Sequence, residues 1–433
     1  MSSPIRRLYE VRAAWLEDSP IIGRLSVPLP SSSRSGSSSK NPSSGFQLPP
    51  VPAFEYDAAW IESGFALGGD LPLARGVRVP ALGKPLFGFL EDRALSASNR
   101  VVFTSGTRPH PSCPEDASPA ETAALLLPDA EDAFGGLSLI PIGCPKVPSR
   151  PRIVRATMLG DLIYAYHAYE RGRARDPDID LLRRGLTLPG RDPVFCVERA
   201  RECQTVRLRS MNDPVDRPLW QGIALETASR CAIKTALFDF EREMGETILF
   251  SRRVDRAPQQ DRPDSPATRR LPVFSAAALT AAPAENARGR ALPAGYLAIA
   301  DILNREGAVP SKDLPEVFRR MLFSLLTGAG TDSLRRWLFV REPLGWRLLP
   351  AHSLEWALPG RTASGGLTLD GRRRLSDADD ASLYAPYFCL TVSEAKMMLM
   401  EMRRVLTGWE QIATELGADP RDIAMMTPSL DLF

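Results

Sequence analysis

The sequence predicts an α+β fold in two lobes, a mixed N-terminal lobe followed by a mainly helical C-terminal one. Three observations carry that expectation. Up to about residue 290, short runs with strand alternation and turn signals are interleaved with helical runs, the pattern of an α+β arrangement. From residue 293 onward the apolar spacing is helical almost throughout. At 433 residues, the chain is also longer than one hydrophobic core usually serves.

Composition narrows the class of protein. Hydrophobic residues make up 44% and charged residues 24%, ordinary for a soluble globular chain, and no apolar run approaches the roughly 18 residues of a membrane span. In MSSPIRRLYEVRAAWLEDS, the residues Glu10, Arg12, Glu17 and Asp18 interrupt any signal-peptide core, so a cytoplasmic protein without a membrane partner is expected. The six cysteines, Cys113, Cys144, Cys196, Cys203, Cys231 and Cys389, form no CxxC pair and stand beside only three histidines. They read as reduced thiols rather than a zinc set. A net charge of +2 spread over the whole chain predicts no direct nucleic-acid binding, because neutralising phosphates needs basic residues concentrated on one face.

Taken in order, IRRLYEVRAAWLEDSPIIGRLSV (5–27) predicts two antiparallel strands turning at Asp18-Ser19-Pro20. The Ser/Pro-rich stretch 28–50 is too poor in apolar side chains to offset its ordering entropy and reads as a flexible linker. FEYDAAWIESGFAL resumes packing, and a small mixed domain over 51–145 ends in a short helix and a strand, after a loop at 105–120. Residues 157–182 have helical spacing through Leu159, Leu162, Ile163, Tyr166 and Tyr169. His167 in that helix reads as a surface or core-edge residue. A turn-rich loop, GLTLPGRDPVF, precedes a hairpin ending in TVRL, a helix over 219–233, and two strands joined at Met244-Gly245. An exposed loop at 257–272 follows, within a lobe spanning 146–290.

The C-terminal part, 291–433, opens with YLAIADILNREG and then a helix whose face is Leu314, Val317, Phe318, Met321, Leu322, Leu325 and Leu326. Asp313 with Glu316 predicts a capping-box-like start for that helix, and Thr391 with Glu394 predicts another ahead of AKMMLMEMRRVL. The methionines there read as core filler. After the first of these helices come a polar loop containing Asp332, the strand GWRLLP, and a turn containing Ser353.

There is no GxSxG, Walker loop or HExxH, so no isolated motif names a reaction. The order of segments is more specific. FEYDAAWIE, LPL, PLFGFLED, DAFGGLSL, RRVDR at 252–256, VFSAAAL at 273–279, FRRMLF, GWRLLPAHSL and LTVSEAKMMLMEMRRVLTGWEQIATELG appear in the order of the HipA-like toxin kinases. From about residue 50 to the end, the chain resembles that family, the kinase partners of bacterial type II toxin–antitoxin modules. The resemblance implies a two-lobed protein-kinase-like fold and transfer of phosphate from ATP to a Ser or Thr hydroxyl, with magnesium.

Carried over residue by residue, the resemblance also implies a degenerate site. The phosphate loop keeps Gly185, Gly190 and Pro193, but has Asp192 and Val194 where the family is basic. Arg207 stands for the nucleotide lysine, and Gln221 for the glutamate that orients it. Without a gap, Thr331 takes the base position, Ser333 the histidine and Arg336 the metal-binding asparagine. With Gly330 as an insertion, Asp332 becomes the base and Arg336 or Trp337 replaces the asparagine. Ser353 falls on the metal-binding aspartate, and His352 on a family tyrosine, where packing is the expected role. Ser353 and Arg336 together predict that magnesium does not bind. The expectation is therefore a pseudokinase without a cofactor, associating with a helix-turn-helix antitoxin-like or kinase-like partner. The alternative is an active Ser/Thr kinase using ATP, Mg2+ and Asp332.

Overall fold

A computed structural model describes residues 6–28, 51–81, 83–94, 102, 133–143, 154–186, 194–258, 268–280, 295–328, 332–358, 367–371, 375 and 378–430. The expectations for 28–50 and 105–120, and for the helix ahead of the DAFGGLSL strand, lie mostly or wholly outside these residues. Strands β1 (Arg6–Ala13) and β2 (Ile21–Pro28) pair antiparallel, as their alternation predicts, with Tyr9, Val11, Ala13, Ile22, Leu25 and Val27 buried. With β3 (Ala53–Tyr56) and β4 (Leu137–Pro141) they form a sheet of order β3-β2-β1-β4. Helix α1 (Ala58–Ser63) starts where the Asp57 carboxylate accepts the Ala59 N–H at 3.0 Å, and α2 (Gly88–Glu91) follows.

The second sheet has order β5-β6-β7-β9-β8. It contains β5 (Val154–Arg155), the hairpin of β6 (Phe195–Arg199) and β7 (Glu202–Arg207), and the hairpin of β8 (Phe238–Glu243) and β9 (Glu246–Arg252). Both hairpins match the sequence reading. The single helix expected over 157–182 is instead two, α3 (Leu159–Glu170) and α4 (Asp176–Gly185). Gly172 takes a left-handed φ of 65° and ends the first, and Asp176-Pro177 begins the second, with proline in the first turn where its missing N–H is harmless. Leu162, Ile163, Tyr166, Leu182, Phe195, Val206 and Phe250 form a core of their own. Helix α5 (Arg217–Arg230) is capped by Asp216, which accepts the Leu219 N–H at 3.3 Å, and is buried on nearly every side.

The exposed loop expected at 257–272 is partly ordered into a ladder: β10 (Arg256–Pro258) pairs antiparallel with β11 (Thr268–Arg270). The cysteine reading also needs correction, since Cys196 and Cys203 are joined in a disulfide across β6 and β7. The hairpin register pairs Cys196 with Thr205 and Cys203 with Glu198. The two cysteines are therefore diagonal neighbours with Cα atoms 6.3 Å apart, within bridging reach. Cys231 and Cys389 are free thiols, and Cys113 and Cys144 lie outside the described residues.

Strand β12 (Val273–Ser275) leads into α6 (Ala276–Leu279) and joins the sheet β12-β13-β14, with β13 at Leu338–Glu342 and β14 at Gly345–Leu348. Helix α7 (Tyr296–Glu306) packs on β14, and α8 (Pro310–Leu326) packs on α7; α9 (Ala378–Ala381), α10 (Val392–Leu406), α11 (Trp409–Glu415) and α12 (Pro420–Leu430) follow in the chain. Helix α8 buries its predicted apolar face but starts four residues early, because Pro310 fits the first helical position. Asp313 is therefore no cap. It accepts from the Arg347 guanidinium at 2.7 Å and the Leu348 N–H at 3.2 Å, while Glu316 accepts the Lys234 N–H at 3.0 Å and Arg320 at 2.9 Å. The Thr391/Glu394 box is present with both arms, at 3.2 and 2.8 Å. Of the methionines in α10, Met402 is core, whereas Met397 and Met400 are exposed.

Gly345 turns β13 into β14 at a φ of 149°, and a Cβ there would sit 2.3 Å from the Glu306 carbonyl oxygen and 2.7 Å from the Ala308 nitrogen. Both obstacles are backbone. Gly345→Ala is expected to cost about 2–3 kcal/mol of stability, read as a lowered midpoint in denaturant titration.

Candidate functional site: a buried carboxylate held by three arginines

The polar residues after α8 are positioned by the strands on either side of them. Leu334–Arg336 form one 3-10 turn that leads into β13. After β14, the Ala351 N–H bonds to the Lys234 carbonyl and the Ala236 N–H to the Ala351 carbonyl, fixing the 351–355 turn against the segment that follows α5. Between these pieces lies a small recess lined by Arg320, Ser324, Asp332, Arg336, Trp337 and residues 351–355.

Asp332 lies in the wall of this recess and is saturated by donors. The Tyr296 hydroxyl donates to Oδ2 at 2.7 Å, the Trp337 indole N–H to Oδ1 at 3.0 Å, and the Ser324 hydroxyl to Oδ2 at 3.3 Å. Burial raises its carboxyl pKa above the ordinary value, against the pull of these donors and of Arg336. Trp337 is itself clamped, edge-on to Tyr296 with ring centroids 5.8 Å apart and under the Arg320 guanidinium at 5.6 Å.

The dominant charge in the recess is one the sequence reading missed. Glu355 is buried and meets Arg207 at the end of β7 (3.4 Å), Arg217 in the first turn of α5 (3.3 Å) and Arg336 (3.3 Å). Burial alone would raise its pKa. The fields of Arg207, Arg336 and Arg217 outweigh that and bring it down to about 2. The Arg336 guanidinium also donates to the Ser353 carbonyl at 2.6 Å, so it spans the chain between Ser353 and Glu355. Glu355 is the only carboxylate between Glu342 and Asp370, which is the signal that could have singled it out.

The structure brings Asp332, Arg336 and Ser353 into one recess and places Arg207 on its shared carboxylate. Gln221, one turn along α5 from Arg217, is buried with its Oε1 unpaired. It faces a second, smaller recess with Trp220, Trp356 and Glu355. Gly185 ends α4, where a Cβ would lie 3.0 Å from the Phe195 ring. Thr331, Gly330 and Gly190 lie outside the described residues. His352 lines the recess with Nδ1 buried and unpaired; burial, then Arg336 and Arg320, lower its pKa to about 4, so it is neutral near pH 7. His167 is half-buried beside the Arg209 carbonyl (3.2 Å) and Glu246 (3.5 Å).

A hard divalent cation needs a shell of unclaimed oxygens. Here the Ser353 carbonyl and the Glu355 carboxylate are both engaged by a guanidinium, so these residues do not fit magnesium. Among the described residues no group of three or more His, Cys, Asp or Glu side chains is placed to hold a metal ion, and no helix is long and apolar enough to cross a membrane.

Comparison with known proteins places these residues in context. Residues 222–426 match the model of the HipA-like C-terminal domain. The whole chain is similar to HipA of Shewanella oneidensis MR-1, solved in a toxin–antitoxin complex with HipB and operator DNA. That similarity has a TM-score of 0.63 at 14% identity and covers 98% of this chain and 95% of the other. At that identity the match shows the fold, which is two-lobed, kinase-like and α+β. A second similar structure is the Helicobacter pylori proinflammatory kinase CtkA, at a TM-score of 0.32 and 9% identity over 55% of this chain and 90% of the other. No curated protein sequence matches the chain.

Removing the carboxylate should expose how much rests on it. Glu355→Gln leaves three guanidinium groups around a neutral amide and is expected to destabilise the protein by about 3–5 kcal/mol. The sign of the pH dependence follows from a pKa that is lower in the folded state than the ordinary 4.5. The stabilisation is present above about pH 4.5 and lost as pH falls toward 2. Urea titrations across that window should show a steeper slope in the wild type than in the Glu355→Gln variant.

Proposed function

We propose that this chain, whose residues 222–426 match the model of the HipA-like C-terminal domain, is a kinase-fold protein that does not transfer phosphate and acts by binding a protein partner. One observation carries the reading. The Arg336 guanidinium, at the position where the family resemblance puts the metal-binding asparagine, donates to the carbonyl of Ser353, at the position of the metal-binding aspartate, and to Glu355. A tethered cation there repels the magnesium that phosphoryl transfer uses to neutralise the transferring group.

The rest of the site supports the same reading. Arg207, in the place of the nucleotide lysine, is turned onto Glu355, and a planar guanidinium is a poor replacement for the lysine point charge. Gln221, in the place of the orienting glutamate, cannot form an ion pair. The other reading, an active Ser/Thr kinase, draws on Asp332, a retained carboxylate lining the recess with a raised pKa. Against it, both oxygens of Asp332 already accept hydrogen bonds from side chains, and a base must be within reach of a substrate hydroxyl.

The partner is proposed by analogy. The Shewanella HipA was solved with HipB and operator DNA, and a helix-turn-helix protein of that kind is the partner expected here. Any DNA contact would then come through the partner.

Thermal shift with ATP, with and without magnesium, followed by a labelled phosphate-transfer assay, tests the reading. No magnesium-dependent stabilisation and no transfer are expected. Stabilisation that requires magnesium, together with labelling abolished by Asp332→Asn, would establish the kinase instead. Co-expression with a helix-turn-helix protein encoded beside this chain should give a complex that co-purifies.

A further inference from the structure

We propose that Cys196 and Cys203 form a thiol–disulfide exchange site, in which the Arg253 guanidinium stabilises the thiolate released from Cys196 and the co-reactant is a small thiol of the glutathione class. The proposal rests on the surroundings of the two sulfurs and is independent of the function proposed above. The Arg253 Nη1 lies 3.4 Å from Cys196 Sγ and 3.7 Å from Cys203 Sγ, so one guanidinium spans both ends of the bridge. That guanidinium is fixed. It donates to both oxygens of Asp255, at 2.8 and 2.6 Å, and to the Ala133 carbonyl at 3.1 Å, and it is buried.

Asp255 is a fixed anchor for it. Burial pushes this carboxyl up, but Arg253 and Arg256 more than offset that and hold it well below the usual carboxylate range. The anchored guanidinium therefore holds a positive charge next to both sulfurs. A cation in contact with a sulfur favours its thiolate, and a better-stabilised thiolate is the better leaving group.

Access decides the direction of attack. Cys203 is half-buried and Cys196 fully buried, so an incoming thiolate reaches Cys203 Sγ. A bond forms between the small thiol's sulfur and Cys203 Sγ, and the Cys196–Cys203 bond breaks with its electron pair remaining on Cys196 Sγ beside Arg253. A second small thiol then attacks the mixed disulfide, releasing the oxidised small-molecule disulfide and the Cys203 thiol. The protein gains two electrons and two small thiols lose them; the oxidised small-molecule disulfide drives the same steps backward.

Two measurements on the full chain test this. In Cys203→Ser, thiolate absorbance at 240 nm is titrated against pH, with the Cys196→Ser/Cys203→Ser double variant subtracted as background. The Cys196 midpoint is expected at least one pH unit below the ~8.5 of a free cysteine, and adding Arg253→Met should raise it. A midpoint at or above 8.5 in Cys203→Ser overturns the proposal whether or not the Arg253 variant folds. In the wild type, limited reduced glutathione followed by peptide mass spectrometry should find glutathione on Cys203. Glutathione on Cys196, or a bridge that glutathione leaves intact, also overturns it.

Discussion

The structure depends on one buried carboxylate shared by three guanidinium groups. Glu355 joins the end of a strand (Arg207), the start of a helix (Arg217) and a 3-10 turn (Arg336), elements far apart in the chain. Taking a carboxylate out of water costs several kcal/mol, and the cost is recovered only where the partners are close and fixed. Three planar cations around two oxygens meet that condition, and each is held by the element that carries it. Arginine suits the role better than lysine, being less strongly hydrated and able to present a flat fork to an oxygen pair. The chain uses it almost exclusively, with only 6 lysines among its 54 basic residues, and every buried cation named here is an arginine.

The same device recurs wherever distant segments meet. Asp255 gathers Arg253, Arg256 and the Gly135 N–H, joining the DAFGGLSL strand to the end of the second sheet. Asp92 accepts the N–H and hydroxyl of Ser275 and ties α2 to the start of α6, with its pKa raised by burial to about 6. Glu316 fixes α8 to the segment after α5. Each link is non-local, and each leaves few unsatisfied charges, which is the condition for a buried polar network to specify one arrangement.

Local chemistry made much of the fold legible. The β1–β2 pair, both hairpins of the second sheet, helices α5, α7 and α8, and the Thr391 box follow from alternation, turn residues and caps that act over a few positions. The misses involved competition between local signals. Periodicity ran through 157–182, but Gly172 and Pro177 divided it. Asp313 and Glu316 have the spacing of a cap, yet Pro310 started the helix first and freed both carboxylates for tertiary bonds. The disulfide was hidden because Cys196 and Cys203 meet only through hairpin register, which the spacing of the cysteines does not encode.

The site was legible in a different way. Asp332, Arg336 and Ser353 were found through resemblance to a family, which points to positions a reader already knows to examine. Glu355 stands where no family position led, and its role comes from three arginines that converge on it in space. Once it is included, Arg336 is seen to have a structural role. Its guanidinium bonds to a backbone carbonyl and to a carboxylate, and so places a fixed positive charge in the recess. The turn is thereby fixed by a side chain of the protein itself, which ties the 3-10 turn at 334–336 to the backbone and carboxylate of residues 353–355.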